Sequence, residues 1–313
     1  MREDIITADL HTHLLEKRIK PEKYWKAVRK AGLQAVAITE HIEYNPRKAF
    51  ERVFEKKPED IMLISGMEMN TSAGHVLAFS HSPEIYEIPE LQEKGVKLQK
   101  AYELCQANDI MLSFAHPWGF DYDSIVYVAG LSQLRRYAVH GNVGVEAYNG
   151  MIGELAESML KSKWVKRPMG ILSFFEKNKV TSKAGIGKIM GAVKKKFDKR
   201  AFDIVQRNLN AMEFGEEARF ITAGSDAHST SRIGCGVIKL KVDSEAAASE
   251  RKFLEALKNK ENVLWAGPPT IQIREGVFQK RKIGVKKMEV LAGLKYVAKK
   301  AILRGKRLKK KDI

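Results

Sequence analysis

The chain has 313 residues, 44% hydrophobic and 30% charged, with 55 Lys/Arg against 38 Asp/Glu for a formal net charge of +17. That length and balance describe a globular protein of one or two domains and exclude a fibrous or intrinsically disordered chain. No apolar run approaches the roughly 20 residues of a membrane-spanning helix, and Cys105 and Cys235 can make neither a disulfide framework nor a CxxC pair. The opening MREDIITADLH is acidic and enters a strand-like run at once, so no leader is expected and the expected location is cytoplasmic.

The first strand-like run is IITADLH (5–11), followed by the helix-like PEKYWKAVRKAGL, opened by Pro21 and closed by Gly32. AVAITE (35–40), IMLISGMEM (61–69) and HVLAFS (75–80) come next. The helix-like IPELQEKGVKLQKAYELCQAND then leads into IMLSFAHP (110–117), and VGVEAY (143–148) and FITAGSDAH (220–228) complete the series. Continuous apolar runs, rather than strict alternation, fit strands covered on both faces. Seven such units alternating with helix-like stretches predict an α/β fold, a seven-stranded (β/α) barrel or a close variant. A further strand (VIKLKV, 237–242), a helix (SEAAASERKFLEALKN) and the boundary "GPP" at 267–269 follow.

The charge is localised. Residues 161–200 hold 13 Lys/Arg against Glu176 and Asp198, and residues 277–313 hold 14 against Glu289 and Asp312, leaving the rest mildly acidic. Within the insertion at about 152–210, Ile186, Ile189, Met190, Val193 and Phe197 fall at helical spacing beside lysines. The tail, 271–313, repeats the theme with Leu291, Leu294, Val297, Ala298 and Ile302. The "GIGK" in the insertion lacks the spacing and the following Ser/Thr of a phosphate-binding loop. The expected organisation is therefore a barrel over 1–270 with a basic helical insertion, and a basic amphipathic tail. Such attachments attract a polyanion or form solvated faces.

The chemistry sits at the strand ends. Residues i and i+2 of a strand share a face, so His11 and His13 point together, as do Asp226 and His228. His41, Glu68, His116 and Glu146 occupy the same station in other units, the rim where barrels place their active sites. Imidazole and carboxylate together are ligands for zinc, manganese or iron. A cluster with Glu68 as bridging carboxylate would acidify water and clamp phosphoryl oxygens, which points to phosphate-ester hydrolysis. His75 reads either as support for Glu68 or a metal contact, or as a packed residue. His81 and His140 read as surface residues. Arg232 could present a guanidinium fork to a substrate phosphate. Trp118 and Tyr122 either stack on a base at the rim or pack their loop.

In this order, "DLHTH", "ITEH", "SGMEM" with "GHVLAF", "AHP", "GVEAYNG" and "GSDAH" resemble the polymerase-and-histidinol-phosphatase (PHP) family of metal-dependent phosphoesterases, over about residues 5 to 240. The resemblance implies a distorted seven-stranded TIM-like barrel with two or three divalent ions, manganese, zinc or iron. It implies His11, His13, Glu68 and Asp226 at a first metal, His41 and His228 at a second, and Glu68 with His116 at a third. "NVLWAG" after a strand and helix looks like the family's short C-terminal region. Where the family usually writes "TDH" this chain has Thr39-Glu40-His41, so Glu40 joins the candidate ligands, as does Glu146 where many members carry His or Cys. After the HxH pair the family has an Asp or His that completes the second metal. Here "LLEKRIKP" offers only Glu16.

The function expected is hydrolysis of a phosphate mono- or diester of a nucleotide or nucleic acid, with Asp226, His228 and His41 in catalytic roles and RNA or DNA drawn by the basic segments. The alternatives are a small-metabolite phosphatase of the histidinol-phosphatase type, and a nucleic-acid or membrane-surface binding protein that keeps the barrel as scaffold.

Overall fold

The computed structural model describes residues 3–161, 203–272 and 277–280. The strands of its main sheet are β1 (Glu3–Thr12), β2 (Ala35–Ile38), β3 (Met62–Thr71), β4 (Gly74–Ser80), β5 (Met111–Phe114), β6 (Val143–Asn149), β7 (Ile221–Gly224), β8 (Val237–Asp243) and β9 (Val263–Gly267). They lie in the order β7-β6-β5-β4-β3-β2-β1-β8-β9. The chain beyond β7 returns to β1: Thr12 bridges Ala227, and the Asp226 N–H donates to His11 O at 2.7 Å. The expected α/β barrel is therefore present, but its sheet holds nine strands rather than seven. β8 runs antiparallel along Glu3–Ala8 of β1, leaving the C-terminal part of β1 to meet the chain after β7.

One strand departs from the repeated unit. β4 is antiparallel to both β3 and β5. Only Ser72 and Ala73 separate β3 from β4, too few for the crossover a parallel pair requires. The reversal places the start of β4, and with it His75, at the rim where the other strands end.

The helices are α1 (Pro21–Ala31), α2 (Pro46–Phe54), α3 (Leu98–Ala107), α4 (Ile125–Val128), α5 (Leu131–Ala138), α6 (Gly150–Lys161), α7 (203–217) and α8 (Glu250–Leu257). Pro21 opens α1 with a preset φ, and Gly32 ends it at φ 68°, its N–H donating to Arg29 O. Lys260 ends α7, its Nζ donating to the carbonyls of Gly215, Glu216 and Ala218 at 2.7–3.0 Å.

Strand alternation sorts the core into two sets. Val36, Ile38, Met67, Val76, Ala78 and Phe114 pack with Tyr24, Trp25, Phe50 and Tyr137 of the helices. Ala35, Ala37, Ile64, Leu77, Phe79 and Met111 face the interior and pack with Phe253, Leu254 and Leu257 of α8.

Met1–Gly153 with Arg207–Arg281 make one compact unit, which holds the barrel, while 154–206 and 282–313 fall in a second. Beyond the Pro pair, Thr270–Gln272 pairs antiparallel with Phe278–Lys280. The amphipathic helices expected around 186–197 and 291–304 lie outside the described residues. No helix of the described residues is long and apolar enough to cross a membrane.

Candidate metal centre

Strand alternation by itself would put His11 on the helix-facing side, because Ala8 and Leu10 already point inward. The register of β1 against β2 shifts between Asp9 and Thr12, a bulge that re-aims the side chains beyond it. Thr12 then turns outward to hydrogen-bond Tyr24 Oη at 2.8 Å, and His11 and His13 turn in. His116 (φ 29°) and Asp226 (φ 53°) occupy left-handed backbone conformations where their strands end. Non-glycine residues adopt these reluctantly, and such residues concentrate at functional sites.

Glu68 is the hub. Its Oε2 lies 3.3 Å from His11 Nε2, 3.5 Å from His13 Nε2 and 3.0 Å from His41 Nδ1. Its Oε1 lies 2.7 Å from His75 Nδ1 and 3.2 Å from His116 Nε2. The two oxygens of one buried carboxylate thus face different sets of imidazoles, as a ligand shared between ions must. Asp226 Oδ1 closes the other side, 3.3 Å from His13 Nε2 and 3.3 Å from His228 Nδ1.

Three donor groups come within 4.8 Å among the described residues: His11/His13/Asp226, His13/His41/His228 and His41/Glu68/His75. Both ring nitrogens of His13 are buried without a well-aligned hydrogen bond. Orphaned buried nitrogens are costly unless something else satisfies them. Imidazole and carboxylate donors of this kind suit divalent zinc, manganese or iron, so the residues present fit such ions.

The remaining carboxylates stand behind the histidines. Glu146 Oε1 lies 2.9 Å from His11 Nδ1, and its Oε2 accepts the His116 N–H at 2.7 Å and Asn149 Nδ2 at 3.1 Å. Glu40 Oε2 accepts the N–H groups of Leu14 and Leu15, and its Oε1 is 3.4 Å from His13 Nδ1. Both expected ligands therefore touch a histidine and fix its ring, outside the three donor groups. Glu16 reaches the second pair, its Oε2 2.7 Å from His228 Nε2 and 4.0 Å from His41 Nε2. His75, which forms a donor group with His41 and Glu68, and His116 both face Glu68 Oε1. Arg232 lies in the turn after His228, its backbone bonded to Ser229 and Cys235. Trp118 packs on Phe214, and Tyr122 stacks on Phe120.

Asp9 escapes a reading based on strand ends. Its Oδ1 accepts the Ser225 N–H at 2.8 Å and its Oδ2 the Gly234 N–H at 2.8 Å, tying β1 to both flanks of the Asp226 turn. Burial pushes its carboxyl up to about 6 against those hydrogen bonds. The signal was the Asp of "ADLH" itself, a charge inside an apolar run.

The electrostatics follow from the packing. Burial opposes protonation of His41 and His116, but Glu68 outweighs it and holds each imidazole up at about 9. Burial likewise opposes ionisation of Glu68, yet the surrounding imidazoles keep it well below the usual carboxylate range. Glu16 is raised by burial and lowered more strongly by His228 and Lys17, to about 2. Without metal, the carboxylates thus hold His11, His41, His116 and His228 toward the protonated form.

Residues 208–262, which include Asp226, His228, β8, α8 and Lys260, match the family model described as PHP-associated. This bears out the C-terminal part of the resemblance drawn from the motifs. No curated protein matches the chain. Among solved structures, the chain is similar to a two-domain Bacteroides vulgatus protein containing a predicted PHP-like metal-dependent phosphoesterase, at 17% identity and TM-score 0.49 over 83% of this chain. It spans 64% of that protein's length. It is also similar to PsfC from Pseudomonas syringae, at 14% identity and TM-score 0.47, covering 80% of this chain and 88% of that one.

Proposed function

We propose that this chain, PHP-like in its motifs and in its PHP-associated segment, is a metal-dependent phosphoesterase with two or three divalent ions around Glu68. The observation that carries the reading is the division of the Glu68 oxygens between His11, His13 and His41 on one side and His75 and His116 on the other. Divalent ions in such a cluster supply Lewis acidity toward water and toward phosphoryl oxygens.

The chain's own residues do the rest. Glu146 and Glu40 hold the rings of His11 and His13 in orientation, which raises ligand basicity and keeps the site preorganised. His41 and His228 are half-buried at the mouth, while His11, His13 and Asp226 are buried below them. If the second ion is absent, His228, which stands between Asp226 and Glu16, is free to hold a proton and deliver it to a leaving alkoxide. His41 is placed for the same task from the other side, and Asp226 fixes His228 through its carbonyl oxygen and carboxylate.

The two basic segments favour a nucleotide or nucleic-acid phosphate over a small neutral-bodied ester, because their excess of Lys/Arg attracts polyanions. The test is a screen of manganese-loaded protein against nucleotides, short oligonucleotides, sugar phosphates and histidinol phosphate, with His11→Ala as blank and metal content measured alongside. Turnover of a nucleotide or oligonucleotide that vanishes in the blank supports the proposal. Less than one ion per chain after reconstitution, or activity surviving in the blank, refutes it.

A further inference from the structure

His75 of β4 and His116, beyond the end of β5, reach the same oxygen of Glu68, Oε1, at 2.7 and 3.2 Å. One buried dipeptide in the turn after His116, Asp123 with Ser124, is bonded to both. The His75 N–H donates to Asp123 O at 2.6 Å, and Ser124 Oγ lies 3.3 Å from His116 Nδ1. The start of β4 presses closely on this dipeptide. A Cβ added at Gly74, whose φ is 109°, would sit 2.5 Å from Asp123 O and 3.0 Å from Ile125 N.

The turn is closed on itself without help from either histidine. The N–H groups of Asp123 and Ser124 donate to Phe120 O at 3.3 and 3.1 Å, and the Phe120 N–H donates back to Ser124 Oγ at 2.7 Å. A serine hydroxyl has one proton to give and two lone pairs to accept with. The Phe120 N–H takes one lone pair, and the proton goes to the Asp123 carboxylate, Oδ1, at 3.1 Å. The remaining lone pair faces His116 Nδ1, so Nδ1 is the donor. Asp123 Oδ1, 3.8 Å from Nδ1, favours a hydrogen there as well. In the neutral ring the free lone pair then lies on Nε2, the nitrogen that faces Glu68.

We propose that Asp123 and Ser124 are positioning residues for one ion, the one on the His75 and His116 side of Glu68; this rests on the metal-dependent reading above. Ser124 fixes the His116 tautomer that leaves Nε2 for the ion, Asp123 orients that hydroxyl, and the Asp123 carbonyl sets the place of His75. An imidazole whose other nitrogen donates to such a partner is held in orientation and binds metal more strongly. Among the described residues, neither Asp123 nor Ser124 bonds His11, His13, His41, Asp226 or His228, so loss of the dipeptide's side chains weakens one ion and spares the rest.

The experiment is zinc titration of the chelator-treated full chain and its Ser124→Ala, Ser124→Thr and Asp123→Asn variants at neutral pH. Bound zinc and melting temperature are measured for each, with nitrogen-15 spectra of the histidine rings in the zinc-loaded proteins. The expected result is one ion per chain bound about 10–100-fold more weakly in Ser124→Ala, with the others bound as in the parent. Asp123→Asn, whose amide oxygen still accepts the hydroxyl proton, shows a smaller loss. The His116 Nδ1 proton signal of the zinc-loaded parent disappears in Ser124→Ala, and both signal and affinity return in Ser124→Thr. If the alanine variant does not fold, Asp123→Asn decides by the same readouts. A lower melting temperature with unchanged zinc binding, an equal weakening of every ion, or His116 bound through Nδ1 overturns the assignment. Uptake of no zinc by the unaltered protein overturns it together with the metal-dependent reading. An ion that depends on Ser124 in a protein that cleaves no phosphate ester leaves the assignment standing and refutes the phosphoesterase reading instead.

Discussion

Replacing Glu68 with Gln removes one negative charge from among five imidazoles while nearly preserving the side chain's volume. In the metal-free protein, burial pulls His41 and His116 down, and Glu68 overcomes it to hold both at about 9 against an ordinary 6.5. Each corresponds to about 3 kcal/mol of preference for the charged ring. The two share one carboxylate, so the losses overlap, and breaking the cluster costs about 3–5 kcal/mol. The sign follows from linkage. Imidazoles raised on folding contribute stability that is fully present below pH 6.5 and is lost as pH rises through about 9. Urea denaturation of chelator-treated protein should therefore show Glu68→Gln strongly destabilised at pH 6.5 and much closer to the parent near pH 9.5. A penalty independent of pH, or none at all, would refute the hub assignment.

Metal uptake at pH 7 should release protons, because a ligating imidazole must be neutral and these rings are held protonated without metal; calorimetric heats that do not vary with buffer ionisation enthalpy contradict this. Glu146→Gln weakens the hold on the His11 ring and on the His116 backbone N–H and should lower metal affinity about 10–100-fold while circular dichroism stays unchanged. Gly224→Ala would put a Cβ 2.3 Å from His11 Cβ and 2.5 Å from its backbone nitrogen; a loss of about 2–3 kcal/mol in chemical denaturation is expected, and a neutral result would mean the closure of β7 on β1 is looser than described.

Much of the centre was legible in the linear order. His11, His13, His41, Glu68, His116, Glu146, Asp226 and His228 stand at the ends of apolar runs, and a barrel of such runs must gather its strand ends at one rim. The alternation of interior and exterior residues, and the capping of α1 by Pro21 and Gly32, are likewise local properties that the chain carries wherever it is folded. What the sequence could not decide depends on chain direction and on close approach. His75 begins a strand, and it joins the rim only because β4 is reversed, which hydrogen bonding between β3, β4 and β5 determines. Whether Glu40 and Glu146 hold a metal or a histidine turns on ångström distances across the barrel, and composition contains no such distances. Glu16, an expected weak substitute, meets His228 because the loop after β1 is pinned by Glu40 at Leu14 and Leu15. Asp9 was hidden for the same reason: its partner Gly234 lies 225 residues away along the chain, and only the closed barrel brings them into contact.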